Sequence, residues 1–142
     1  MTAFEKDDGG RAAAGFKGGT GDCVCRSIAI AAVLPYKDVY EALVARCAAE
    51  KPRKGRKPSH PRTGVHRPIY EAYLKDLGFT WVPTMKIGAG CTVHLRADEL
   101  PSGRIIARMS RHIAAVIDGV LHDTHDSSRG GTRCVYGYFI KR

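Results

Sequence analysis

Asparagine and glutamine are both absent from this chain of 142 residues. That absence restricts its chemistry. Any side chain that orients a catalytic imidazole must be Asp or Glu, and no side-chain amide can donate into an oxyanion hole. No apolar run approaches the ~20 residues that span a bilayer, and the N-terminal MTAFEKDDGG does not read as a signal peptide. CxxC is missing too. The five cysteines (Cys23, Cys25, Cys47, Cys91 and Cys134) are odd in number and irregularly spaced. They fit free thiols in a reducing cytoplasm better than a disulfide framework. Cys23 and Cys25 would point to different sides of a helix, which argues against a zinc knuckle. No metal and no cofactor are expected.

What is abundant is positive charge, with 23 Lys and Arg against 14 Asp and Glu. The segment Lys51–Pro68, KPRKGRKPSHPRTGVHRP, holds seven of the basic residues, four prolines and no acid. Such a run reads first as a hydrated loop. Its charge also suits steering of an acidic protein, or nucleic-acid contact, through Lys51–Arg67. No aromatic interleaves the basic residues as a stacking platform requires.

At this length the chain forms one domain. Residues 1–20, rich in Gly and Ala and without periodicity, read as a mobile N-terminal arm ahead of a single domain over 21–142. Cys23–Leu34 is apolar around most of its circumference and predicts a central buried helix with Asp22 as its N-cap. Tyr36, Val39, Tyr40, Leu43, Val44 and Cys47 predict a second helix at about Lys37–Ala49. Pro68 opens a third, carried by Ile69, Tyr70, Tyr73, Leu74 and Leu77 and stopped by Gly78. The texture then turns to strands: Phe79–Val82, Cys91–Leu95, Arg104–Met109, His112–Ile117, Val120–His125 and Arg133–Ile140. Helices first and strands after predict an α+β fold, with the N-terminal helices packed on a mostly antiparallel sheet.

Cys23 would sit in the first turn of the central helix, where the helix dipole favours a thiolate. The glycines before it let a substrate backbone approach. A lone cysteine is more often a small buried hydrophobe than a nucleophile, so a partner is needed. Asp118-Gly119, between two apolar runs, signals a two-residue type I′ hairpin. In that register Ile117 lies opposite Val120, Ala114 opposite Asp123 and His112 opposite His125. His112 and Asp123 then become diagonal neighbours on one sheet face. A histidine beside a carboxylate at the end of a buried strand is a common structural arrangement. Joined to a thiol at a helix start, it matches nucleophile, base and orienter. Gly21, Asp22 and His125 are the candidate substrate-contacting residues.

The order of Cys at a helix start, His opening a central strand and Asp after a hairpin resembles the papain-like fold, particularly the small C39-type peptidases. Gly21-Asp22-Cys23, Arg26-Ser27-Ile28-Ala29-Ile30-Ala31 and His112–Asp126 are also similar to a group of uncharacterised bacteriophage proteins with a GDC-x-x-R-x-I-A-I-A opening. The resemblance spans most of residues 20–140. It implies Cys23 as nucleophile, His112 as general base and acid, and Asp123 as orienter, with Asp126 the alternative orienter. Papain-like enzymes place a Gln about six residues before the nucleophile, where this chain has Lys17. The oxyanion hole must then use the Cys23 amide plus a donor from the Gly18–Gly21 loop or elsewhere. His125 falls on the rim.

The expected function is cysteine-peptidase-like hydrolysis of a peptide, isopeptide or amide bond in the cytoplasm, that of the host cell if the protein is phage-encoded. The alternative is a noncatalytic module that binds nucleic acid or protein through the basic loop at 51–68.

Overall fold

The computed structural model describes residues 3–18, 20–86 and 88–141. In chain order the elements are β1 (Phe4–Lys6), α1 (Cys23–Ala32), α2 (Tyr36–Ala48), α3 (Arg67–Asp76), β2 (Phe79–Pro83), β3 (Arg104–Met109), β4 (His112–Ile117), β5 (Val120–Asp123) and β6 (Gly137–Lys141). The strands form one six-stranded sheet in the order β1-β5-β4-β3-β6-β2. Every pairing is antiparallel except β1 with β5. The fold is α+β. Among the described residues no helix is long and apolar enough to cross a membrane.

Val24–Ala31 is buried throughout, as an all-round apolar helix requires. α1 lies across β4 and β3, with α2 beside it and α3 against α2 and β2. Val39, Leu43, Leu74, Ile106, Ala115 and Phe139 join α1 in the core on this face. On the opposite face Ile105, Met109, Val116 and Leu121 meet Leu95 and Val135, which arrive from irregular segments. A sheet covered on both faces explains why β3 and β4 read as nearly continuous apolar runs instead of alternating ones. The C-terminal carbonyls of α1 are held from the sheet: the Arg104 guanidinium donates to the Ile30 oxygen at 2.5 Å and the Ala31 oxygen at 3.0 Å.

Asp22 stands at the N-cap position of α1 yet makes no capping hydrogen bond. Its carboxylate turns inward and accepts from Arg26 Nη1 at 2.6 Å and the Tyr36 hydroxyl at 2.7 Å. A buried guanidinium needs a counter-charge more than solvated amides need a cap. The arm expected at residues 1–20 is also corrected. Phe4–Lys6 pairs in parallel with β5, and the Asp7 amide donates to the Asp123 carbonyl at 2.9 Å. All three β1 side chains are exposed, so main-chain bonds hold this strand and no apolar pattern announces it. Residues 1, 2 and 19 of that stretch lie outside the described residues.

The Cys91–Leu95 strand does not form; His94 makes only an isolated bridge to Cys134. Cys91 and Cys134 are disulfide-bonded, while Cys23, Cys25 and Cys47 are free. The reading of five free thiols is therefore corrected, although one such bond does not decide the compartment. The bond closes a 43-residue separation, a constraint worth about 4 kcal/mol of unfolded-chain entropy. A Cys91→Ala/Cys134→Ala variant should keep its helical circular dichroism and lose about 2–4 kcal/mol in urea unfolding. An unchanged midpoint would mean that the loop is held equally well without it.

Candidate active site

The turn between β4 and β5 follows the expected geometry. Asp118 and Gly119 both have positive φ, 47° and 80°, as a type I′ turn demands, and Asp118 Oδ1 accepts from the Gly103 amide at 2.7 Å. Ile117 pairs with Val120, Val116 with Leu121 and Ala115 with His122. The ladder stops there, and β5 ends at Asp123 rather than His125. Its register still carries His112 and Asp123 onto one face, with His112 Nε2 2.7 Å from Asp123 Oδ2.

Cys23 is the first residue of α1 and is half-buried. It borders the same two cavities as His112, and its thiol lies within electrostatic reach of the His112 ring and the Ile113 backbone. Ser27, one turn further along α1, fixes the helix on the strand beside this contact. Its hydroxyl lies 2.5 Å from the Cys23 carbonyl and 3.1 Å from the Ile113 carbonyl, either of which can accept its proton. Sequence reasoning missed this role, because a serine inside an apolar run carries no signal of its partner.

Asp123 is fully buried and fully satisfied. Oδ1 accepts from Arg26 Nη2 at 2.9 Å and the Thr124 amide at 2.7 Å; Oδ2 faces His112 and accepts from Ser127 Oγ at 2.8 Å. Arg26 is itself buried and bridges Asp123 to Asp22. A continuous polar chain thus runs Cys23–His112–Asp123–Arg26–Asp22–Tyr36 through the interior. The GDC-x-x-R spacing puts Arg26 one helical turn after Asp22, but nothing in the sequence reveals that its second partner is 97 residues away.

Electrostatics follow from these contacts. Burial pushes the Cys23 thiol up, but the His112 hydrogen bond and charge, the Ile113 backbone contact and the Arg26 charge together bring it below the ordinary thiol range. Burial opposes the imidazolium at His112, yet the bonds to Asp123 and Cys23 raise its pKa to about 9. Burial likewise works against ionised Asp123, and the contacts with His112, Ser127 and Arg26 hold its pKa at about 2. The neighbouring thiols behave oppositely. Burial pushes Cys25 up to about 12 and raises Cys47 as well. At neutral pH these directions favour a thiolate–imidazolium pair beside an ionised carboxylate.

No family model, curated protein or solved structure matches this chain. The site is therefore read from its own geometry.

Asp126 is brought elsewhere: its carboxylate accepts from the Ser128 amide at 3.0 Å and hydroxyl at 2.6 Å. Of the expected substrate-contacting residues, Gly21 and His125 border a cavity of about 510 Å³ that opens on Cys23 and His112. The His125 ring lies 5.7 Å from that of His112, centre to centre. Asp22 borders the same cavity, but Arg26 and Tyr36 occupy its carboxylate. The Gly21 amide donates to the Arg62 carbonyl at 2.7 Å, so it does not serve an oxyanion. The Cys23 amide, first in the helix, has no intrahelical acceptor. His112, Asp123 and His125 present donor atoms within 4.8 Å of one another. A cation there would have to displace donors already bound to both Asp123 oxygens, one of them the cationic Arg26.

Proposed function

We propose that the protein is a cysteine hydrolase of papain-like architecture that cleaves a peptide, isopeptide or amide bond. The observation that carries this reading is the placement of Cys23, first in α1, on the same cavity as a His112 ring that lies 2.7 Å from the buried Asp123 carboxylate. In the first step the Cys23 thiolate attacks the carbonyl carbon, forming an S–C bond and an oxyanion to which the Cys23 amide, free of an intrahelical acceptor, can donate. Collapse breaks the C–N bond, and the His112 imidazolium gives its proton to the departing amine. Water then attacks the thioester while His112 takes its proton. Breaking the S–C bond frees the carboxylic product and restores the thiolate–imidazolium pair. Asp123 keeps the ring in one orientation and stabilises its cation. Deamidation and acyl transfer use the same groups and differ only in the acyl donor or the second nucleophile. A second reading, a noncatalytic module binding protein or nucleic acid, draws on the exposed basic residues of Lys51–Lys57.

Iodoacetamide separates the two readings. Cys23 should be alkylated at least about tenfold faster than Cys25 or Cys47 at pH 7. Its rate should rise with pH through an inflection below the ordinary thiol range, with a second near 9, where His112 loses its proton. In His112→Ala the first inflection should move up, because the thiolate loses both its hydrogen bond and its counter-charge. Labelling of Cys23 no faster than that of Cys47, or ordinary thiol titration in the parent protein, would sink the hydrolase reading.

A further inference from the structure

We infer that the cleft on the β3 side of Cys23 selects an acidic peptide, one with Asp or Glu side chains close to the bond under attack. This rests on the hydrolase reading of the same site and assigns its substrate class. A second cavity, of about 520 Å³, opens on Cys23 and His112. Val24, Val65, Tyr70, Met109 and Ile113 give it an apolar floor. Four guanidinium groups border it: Arg56 from the basic loop, Arg67 from α3, Arg108 from β3 and Arg111 from the β3–β4 turn.

Among the described residues no carboxylate lines this cavity, and the acids nearest in sequence are already paired. Glu71 pairs with Arg67, and Glu50 holds His66 at 2.7 Å together with Ser59. Arg108 lies over the Tyr136 ring at 5.7 Å. Among the described residues, Arg56, Arg108 and Arg111 have no ion pair. Arg111 adds a geometric argument. It occupies a left-handed turn position with φ 56°, where glycine or asparagine is the ordinary choice, and it borders both cavities beside the Cys23–His112 pair. Of the four, Arg67 is offset by Glu71, and the remaining three converge as like charges without an ion-pair partner among the described residues, which raises the local potential for an anion.

The chemistry favours a peptide over a nucleic acid. Thiolate attack needs an acyl carbon. An aliphatic floor whose one aromatic, Tyr70, is buried offers no stacking surface for bases. A peptide can lay its backbone on that floor and direct carboxylates to the arginine rim, where each pairing is charge-assisted.

Two peptidyl vinyl sulfones, identical except for Glu-Glu against Gln-Gln next to the electrophile, test this directly. The Cys23 thiolate adds to the vinyl carbon β to the sulfone, and a proton from water or His112 completes the adduct at the carbon beside the sulfone. The Glu probe should label Cys23 about tenfold faster in 50 mM NaCl, and the ratio should shrink towards one in 1 M NaCl. Arg108→Gln/Arg111→Gln, and separately Arg56→Gln, should lower the Glu/Gln ratio, in which any general loss of reactivity cancels. A wild-type ratio of one or less, with rapid iodoacetamide labelling intact, overturns the acidic preference and leaves the hydrolase reading standing. Loss of selective iodoacetamide labelling overturns both. If a mixed-sequence single-stranded DNA protects Cys23 and the Glu probe has no advantage, the cleft takes nucleic acid and the inference fails.

Discussion

Replacing Arg26 by Met should lower unfolding stability by about 3–5 kcal/mol, a large part of the ~5–15 kcal/mol that holds a domain of this size together. Arg26 is 6% exposed and bridges two buried carboxylates, Asp22 and Asp123. Its removal leaves both acids in the interior with one fewer donor each. Asp22 retains the Tyr36 hydroxyl, and Asp123 retains His112, Ser127 and the Thr124 amide. The uncompensated negative charge is the main cost. Arg26→Lys should recover only part of the loss, because a single ammonium cannot fork across two carboxylates as the planar guanidinium does. Urea unfolding followed by circular dichroism measures both variants. A loss under about 1 kcal/mol in Arg26→Met would mean that the two acids are stabilised independently of the bridge.

Asp123→Ala should slow alkylation of Cys23 by about tenfold to a hundredfold, short of the ~10⁴-fold effect of the acid in a serine triad. The loss is smaller because the thiolate–imidazolium pair forms partly unaided. Its direction follows from the contacts. Without Asp123, His112 loses the carboxylate that raises its pKa, so less imidazolium stands beside the thiol. Asp126→Ala should leave the rate within about twofold, since among the described residues its carboxylate accepts from Ser128 and takes no part in the His112–Asp123 contact. Both variants must melt cooperatively before their rates are compared, because Asp123 also anchors Arg26. A greater loss in Asp126→Ala than in Asp123→Ala would remove Asp123 as the orienter.

The parts of this arrangement that were legible in the sequence rest on short-range rules. Asp118-Gly119 sets the hairpin, and a period of two then carries His112 and Asp123 to the same face. The apolar circumference of Cys23–Ala32 implies a buried helix and puts Cys23 at its start. What was not legible depends on distant partners. Asp22 has the side chain of an N-cap, and only the proximity of Arg26 and Tyr36 diverts it. The 133–136 stretch reads as strand, but Arg133 donates through its main chain to Ser128 and Val135 to Val93, outside the sheet. The Cys91–Cys134 pair joins two irregular segments whose approach no periodicity encodes.

The parallel pairing of β1 with β5 has a consequence for the order of events on the ribosome. Phe4 emerges early and must wait for Leu121, its register partner, before it can be paired. Cys23 likewise emerges well before His112 and Asp123. On the hydrolase reading, the nascent chain therefore carries an unactivated thiol until β5 has left the exit tunnel. Contacts this distant in sequence are the slowest to form. The same reading expects maturation of the thiol to be a late kinetic step, readable as a delay between helix formation and the onset of rapid alkylation during refolding.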